Sequence, residues 1–203
     1  MKGKFIVIEG GDGAGKDTQV ALLKKELGEE DFVFVKDPGS TEIGTALREI
    51  VLHNESVAKT TETLLYLAAR AQMVAEKIIP ALRAGKHVIS NRFSQSTVAY
   101  QIHGRERTEE YDSLKVMSEF AVGDAEPDLL IYLDVPPEVG LERVRQTEET
   151  IDRFERETLA FHERVREGYL EHLSEYNHIK IDALESVEDV HQEVLAAVQK
   201  ITS

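Results

Sequence analysis

The chain alternates between short, nearly unbroken apolar runs and longer stretches in which apolar residues recur at three- and four-residue intervals. Five runs have the first character: Phe5–Glu9, Phe32–Lys36, His87–Ser90, Leu129–Asp134 and Ile179–Asp182. They are rich in Val, Ile and Leu without strict alternation, so each reads as a strand buried on both faces. The second character appears at Thr18–Leu27, with Val20, Leu22, Leu23 and Leu27. It returns at Thr61–Arg83, with a break expected at Pro80, at Val139–Arg145 and at Glu155–Tyr176. Strand and helix in alternation predict an α/β fold with a parallel sheet covered on both faces. The polar stretch Gly104–Asp112 is expected to be an exposed loop or a helix start. Gln146–Asp152 reads either as a mobile connection or as a static surface loop. There is no internal repeat and no low-complexity linker, and 203 residues suit one domain spanning 1–203.

Composition narrows the functions this fold can serve. Apolar residues make up 41% and charged residues 31%, a globular balance that excludes disorder as the default. A net charge of −14 repels nucleic acid and anionic membrane, so neither is an expected partner. It also means that an anionic substrate needs a local cluster of arginine and lysine inside an acidic envelope. The chain has no cysteine, which removes disulfides, thiolate metal sites and thiol catalysis. No apolar run approaches the roughly 20 residues that span a bilayer. The first residues enter a strand-like run without a signal-peptide layout, and the cytoplasm is the expected compartment.

The candidate chemistry begins directly after the first strand. Gly10-Gly11-Asp12-Gly13-Ala14-Gly15-Lys16 matches G-x-x-x-x-G-K between a strand and a helix. Glycines let the backbone wrap phosphate oxygens with its N–H groups turned inward, and the helix start adds its positive end. Lys16 supplies a point charge for the β and γ phosphates. The hydroxyl residue usual after the lysine is replaced by Asp17, followed by Thr18. Asp17 has two readings: a hard Mg²⁺ ligand, or a solvent-facing acid favoured by the helix dipole. The loop predicts an ATP-dependent phosphotransferase.

Beyond the loop, the order of motifs over nearly the whole chain resembles the thymidylate kinase family. Four blocks carry the resemblance: FIVIEGGDGAGKDTQ from Phe5, KDPGSTEIGTALR from Lys36, a stretch from Thr61 to Gln101 that includes TLLYLAARAQ and IIPALRAGKHVISNRFSQSTVAYQ, and PDLLIYLDVPPEVGLERVRQ…IDRFERE from Pro127. The resemblance implies a three-layer P-loop NTPase fold, with a five-stranded parallel sheet, helices on both faces and a short lid near residues 143–155. It implies transfer of the γ-phosphoryl group of ATP to dTMP with Mg²⁺, serving dTTP biosynthesis, by a homodimer.

A monophosphate acceptor is already ionised at neutral pH, so positioning and charge neutralisation should dominate, and no general base is needed. The basic residues available are Lys16, Arg70, Arg92, Arg143, Arg145 and Arg153; none of the seven histidines is assigned a role. Arg92 follows the third strand, where ligands of open parallel sheets bind. The resemblance places it between donor and acceptor phosphates, with Lys16, Arg145 and Arg153 as the other catalytic candidates. It puts ATP on Gly10 to Thr18 and Arg143.

For dTMP the resemblance implies Asp12 at the sugar, Lys36 as a phosphate contact and Tyr66 stacked on the base. Arg70 would serve at a carbonyl or phosphate, Tyr100 would crowd the 2′ position, and Ser96, Thr97 and Gln101 would contact the nucleotide. Asn91 stands where the family has aspartate. Together with Asp17 it carries a metal hypothesis: the metal-facing carboxylate has moved from the end of the third strand to the phosphate loop. The alternatives are a related monophosphate kinase with another base preference, a catalytically impaired nucleotide-binding homologue, and a GTPase switch. The last lacks an Asn-Lys-x-Asp segment.

Overall fold

The structure, a computed structural model, describes residues 2–54, 56–147 and 153–203. Strands β1 (Phe5–Gly10), β2 (Phe32–Lys36), β3 (His87–Asn91), β4 (Leu129–Asp134) and β5 (His178–Asp182) pair in parallel in the order β2-β3-β1-β4-β5. All six residues of the central β1 are buried, as are all six of β4. Alternate β1 side chains enter different cores. Ile6 and Ile8 pack with Leu23 of helix α1 (Lys16–Leu27) and with Val190, Val194 and Val198 of the C-terminal helix Val187–Thr202. Phe5 and Val7 face Met73, Ile78 and Phe93 on the opposite side. Glu9 shares that second face, so the period of the strand delivers a carboxylate to the interior.

Between these layers run α2 (Glu42–His53), α3 (Lys59–Met73), α4 (Ile79–Arg83), α5 (Ser94–Thr97), α6 (Tyr111–Val122), α7 (Pro137–Thr147), α8 (Leu159–His172) and the C-terminal helix, α9. Thr41, Thr158 and Ser186 cap α2, α8 and α9 by accepting backbone N–H groups of Gly44, Phe161 and Asp189. The break expected at Pro80 does not occur there. A π-helical turn, Val74–Ile78, joins α3 to α4 without a gap, and Pro80 falls in the first turn of α4, where its missing N–H is tolerated.

A second π-helical segment, Val98–Gly104, extends α5 and buries Tyr100 and Gln101. In the polar Gly104–Asp112 stretch Arg107 is buried, so it is not wholly exposed. Residues 148–152 of the expected lid and mobile connection lie outside the described residues. Among the described residues, no helix is long and apolar enough to cross a membrane.

Candidate active site

β1 and β3 end side by side, Ile8 opposite Asn91, and everything that follows their carboxyl ends converges on one cavity of about 530 Å³. The phosphate loop forms its floor. Gly10, Gly13 and Gly15 hold φ of 155°, 71° and 86°, values that side chains rarely adopt. Gly13 also lies against Gly140 of α7 so closely that a Cβ there would sit 1.9 Å from the Gly140 carbonyl oxygen. Lys16 is buried and its ammonium donates to the Gly11 carbonyl (2.6 Å). Burial, followed by repulsion from Arg92, pushes the lysine down to about 7 despite the nearby carboxylates of Asp12, Glu9 and Asp17. Arg143 donates to the carbonyls of Ala183 (2.9 Å) and Gly13 (3.4 Å), which brings it to the loop's outer edge. Ala14, Asp17 and Thr18 also line the cavity.

Arg92 sits at the end of β3 with φ 69°, a left-handed conformation that a side chain of this size adopts only under constraint. Its guanidinium donates to Asp12 (2.6 Å), the Gly10 carbonyl (3.2 Å), Ser96 Oγ (3.2 Å) and the hydroxyls of Tyr100 and Tyr169 (both 3.1 Å). Beneath it, Glu9 is fully buried. It accepts from the backbone of Phe93 (2.8 Å) and from the hydroxyls of Ser96 (2.7 Å) and Tyr169 (2.9 Å). Burial raises the Glu9 carboxyl above its usual range, against the pull of Arg92 and these donors. At Asp12 burial acts the same way, but the charges of Arg92, Lys16 and His162 outweigh it and the carboxyl is held low. His162 Nδ1 lies 3.7 Å from Asp12.

The cavity continues from Arg92 toward α3. Arg70 is 1% exposed and donates to Asp37 (2.5 Å), Thr97 Oγ1 (2.7 Å) and the Phe93 carbonyl (3.0 Å), leaving its buried Nη1 without a partner. The aromatic wall is Tyr66, Phe154 and Tyr100, with Phe154 edge-on to both tyrosines at 6.1 and 6.0 Å. Gln101 lines the far end. Its amide nitrogen donates to the buried Glu62 (2.7 Å) and its amide oxygen accepts from Thr63 (3.3 Å).

Asp17 and Asn91 meet: the Asn91 amide donates to Asp17 Oδ1 (3.0 Å). Lys36 does the same at 2.7 Å, so this lysine is engaged with the phosphate loop. Burial raises the Asp17 carboxyl, but Lys36, Lys16 and Arg92 together hold it below its usual range.

Two of the four catalytic candidates stand apart from the convergence. Arg145 is exposed on α7, 3.8 Å from Glu142. Arg153 donates to the Val51 carbonyl (2.9 Å) and pairs with Glu62. Neither is among the described residues that line the cavity.

The family model described as thymidylate kinase matches residues 8–194. The chain belongs to the thymidylate kinase family. The thymidylate kinase of Clostridium novyi is 42% identical over 200 residues, covering 95% of this chain and 97% of its own length. That of Carboxydothermus hydrogenoformans is 44% identical over 197 residues, with 96% of each chain covered. The crystal structure of thymidylate kinase from Ehrlichia chaffeensis superposes with a TM-score of 0.77 at 26% identity, covering 98% of this chain and 99% of that one. A five-stranded parallel sheet ringed by helices is thus shared with a thymidylate kinase of known structure.

Within this family fold, several residues at the cavity went unassigned in the sequence. Glu9 looked like the last residue of a strand, and only the strand's period hints that it turns inward. Asp37 and Arg48 lie in a block already noted, but their contacts depend on tertiary packing: Asp37 holds Arg70, and Arg48 donates to the Pro38 carbonyl (3.3 Å). Phe154 lies in the IDRFERE segment, but nothing local marks it as a cavity wall, and His162 carries no local signal.

Proposed function

We propose that this protein transfers the γ-phosphoryl group of ATP to dTMP, giving ADP and dTDP. The observation that carries the proposal is the cavity itself, which runs from Lys16 and the glycine loop past Arg92 to Arg70, Tyr66 and Gln101. It offers a donor site and an acceptor site with a cation between them. An oxygen of the dTMP phosphate attacks the γ-phosphorus, the bond to the β,γ-bridging oxygen breaks, and its electron pair leaves on ADP. Lys16 and Arg92 neutralise the charge that moves. The guanidinium of Arg92 already points between the loop and the acceptor side, anchored by Asp12 and Gly10. The free Nη1 of Arg70 is the donor for a thymine carbonyl, Tyr66 is the stacking face, and Tyr100 stands at the sugar.

Mg²⁺ fits the residues at the loop's edge. Asn91 Oδ1 is buried and unpartnered, and Asp17 presents a carboxylate beside it. These are the hard oxygen donors that Mg²⁺ takes, commonly through water; held there, the ion would supply positive charge to offset that of the phosphates. The lid of the proposal spans residues 143–155. Of its two arginines, Arg145 is the one to deliver to the phosphates, since an exposed pair with Glu142 costs little to release. Arg153 would have to abandon a buried carboxylate. We also propose a homodimer, built on the apolar residues exposed on neighbouring helices: Ile43 and Ile50 of α2, Leu64 of α3, and Val116 and Phe120 of α6. The cytoplasm is the proposed setting.

The test is an acceptor panel of dTMP, dUMP, dGMP, CMP and UMP with ATP and Mg²⁺. dTMP should have the highest kcat/KM. Another acceptor in that place would sink the base assignment, and ATP binding without any ADP formation would point to an impaired homologue.

A further inference from the structure

His103 and His172 are separated by 69 positions in sequence, yet their Nε2 atoms lie 3.1 Å apart. His103 belongs to the π-helical segment Val98–Gly104 and His172 ends α8. Gly168, one turn before His172, makes the approach possible: a Cβ there would be 2.6 Å from Cγ of the His103 ring. Tyr111 stacks on His172 at 4.7 Å and fixes its plane.

The neighbours of the two rings decide which nitrogens face each other with lone pairs. His172 Nδ1 is 2.5 Å from Glu175 Oε1, which keeps a proton on that nitrogen and leaves the lone pair on Nε2. His103 Nδ1 lies 4.0 Å from the Glu171 carboxylate, too far for a hydrogen bond, so that carboxylate is available as a ligand. The two Nε2 atoms, 3.1 Å apart, can share either a proton or a metal ion. A tetrahedral ion about 2.0–2.1 Å from each nitrogen would set them roughly 3.3 Å apart, close to what is found. One donor atom from each of His103, His172 and Glu171 lies within 4.8 Å of the other two. Glu175 behind His172 completes the carboxylate–histidine pairing that orients metal-bound imidazoles.

We propose that His103, His172 and Glu171 form a binding site for a divalent transition metal, zinc by its nitrogen and oxygen donors, that clips α8 to the segment carrying Tyr100 and Gln101. The site is separate from the oxygen-lined edge at Asp17. Its role is structural: α8 also carries His162 and Tyr169, which touch Asp12 and Arg92, so the clip would hold both sides of the phosphate-facing network.

Metal-stripped full-length protein, with Mg²⁺ in excess and no nucleotide, is titrated with Zn²⁺ against a chromophoric chelator while thermal midpoints are recorded. One zinc per chain and a raised Tm are expected. Both effects should be lost in His103→Gln and His172→Gln, with circular dichroism checking their fold. Glu175→Gln, which keeps all three donors, should weaken zinc about 10- to 100-fold. Should a histidine variant not fold, Glu171→Ala decides, because that exposed side chain can be removed without disturbing the core. Wild-type protein that binds no zinc, or unchanged affinity in these variants, overturns the site.

Discussion

Lys16 is a cation held where cations are poorly solvated, and that gives the phosphate loop a pH signature. With its pKa pushed to about 7, most Lys16 side chains in the nucleotide-free protein are neutral at pH 8. Bound phosphates restore the charge, so ATP binding at pH 8 should take up about one proton. Calorimetry in two buffers of different ionisation enthalpy measures this directly, and equal heats in both would refute it. The sign for folding follows from the same shift. The unfolded chain holds this proton up to its ordinary pKa near 10.4, so the folded state binds fewer protons between about 7 and 10.4. The contribution of Lys16 to stability therefore rises as pH climbs through that window. Asp17 makes a second claim at this scale. If it is the carboxylate facing Mg²⁺, Asp17→Ala should raise the Mg²⁺ concentration for half-maximal turnover by roughly tenfold, while the fold persists because the side chain is exposed. An unchanged Mg²⁺ dependence would leave Asp17 only its contacts with Lys36 and Asn91.

At the scale of elements, the phosphate loop depends on a helix far away in sequence. Gly140 of α7 and Gly13 of the loop touch backbone to backbone, and a Cβ on residue 140 would lie 2.2 Å from the Asp12 carbonyl oxygen. Neither backbone can yield without moving the loop. Gly140→Ala should therefore weaken ATP binding at least tenfold and cost about 1–3 kcal/mol of stability, read as ATP KM and the urea midpoint; wild-type values of both would show that the loop has slack. None of this was visible in the sequence, where Gly140 interrupts a helical pattern without explanation.

The five strands were readable because buried parallel strands are written as continuous apolar runs, and their bounds match the structure to within a residue. The glycine loop was readable because it is local. Helices α2, α6 and α9 were not read as helices. In α6, Val116 and Phe120 face outward and blur the amphipathic stripe, while the core positions of α9 are β-branched valines that also suit strands. The π-helical turns escape any 3.6-residue template. The Glu62 cluster, which joins Gln101 and Arg105 of one segment to Arg153 of another, exists only once the chain has folded.

For the whole molecule, charge and the proposed dimer pull against each other. Each chain carries −14, so two chains repel at long range, and that repulsion is screened beyond about 8–10 Å at physiological salt. Association then has to come from apolar contact, and Phe120, 92% exposed, is the largest apolar side chain on offer. It lies on α6, which packs against α3, and α3 in turn packs against α2. A partner seated there would press on the outer side of the helix whose inner side carries Tyr66 and Arg70. Burial of one phenylalanine side chain contributes roughly 1.5–3 kcal/mol, and placing a carboxylate there adds a desolvation cost that a dimer cannot escape. Phe120→Glu should therefore convert a dimer into a monomer, followed by sedimentation velocity across micromolar concentrations. Dimerisation of the parent protein should strengthen as salt is added, because screening relieves the repulsion while apolar contact persists. A parent protein that stays monomeric at every salt concentration would end the proposal, whereas loss of dTMP affinity in step with loss of the dimer would tie the acceptor side of the cavity to the partner behind α3.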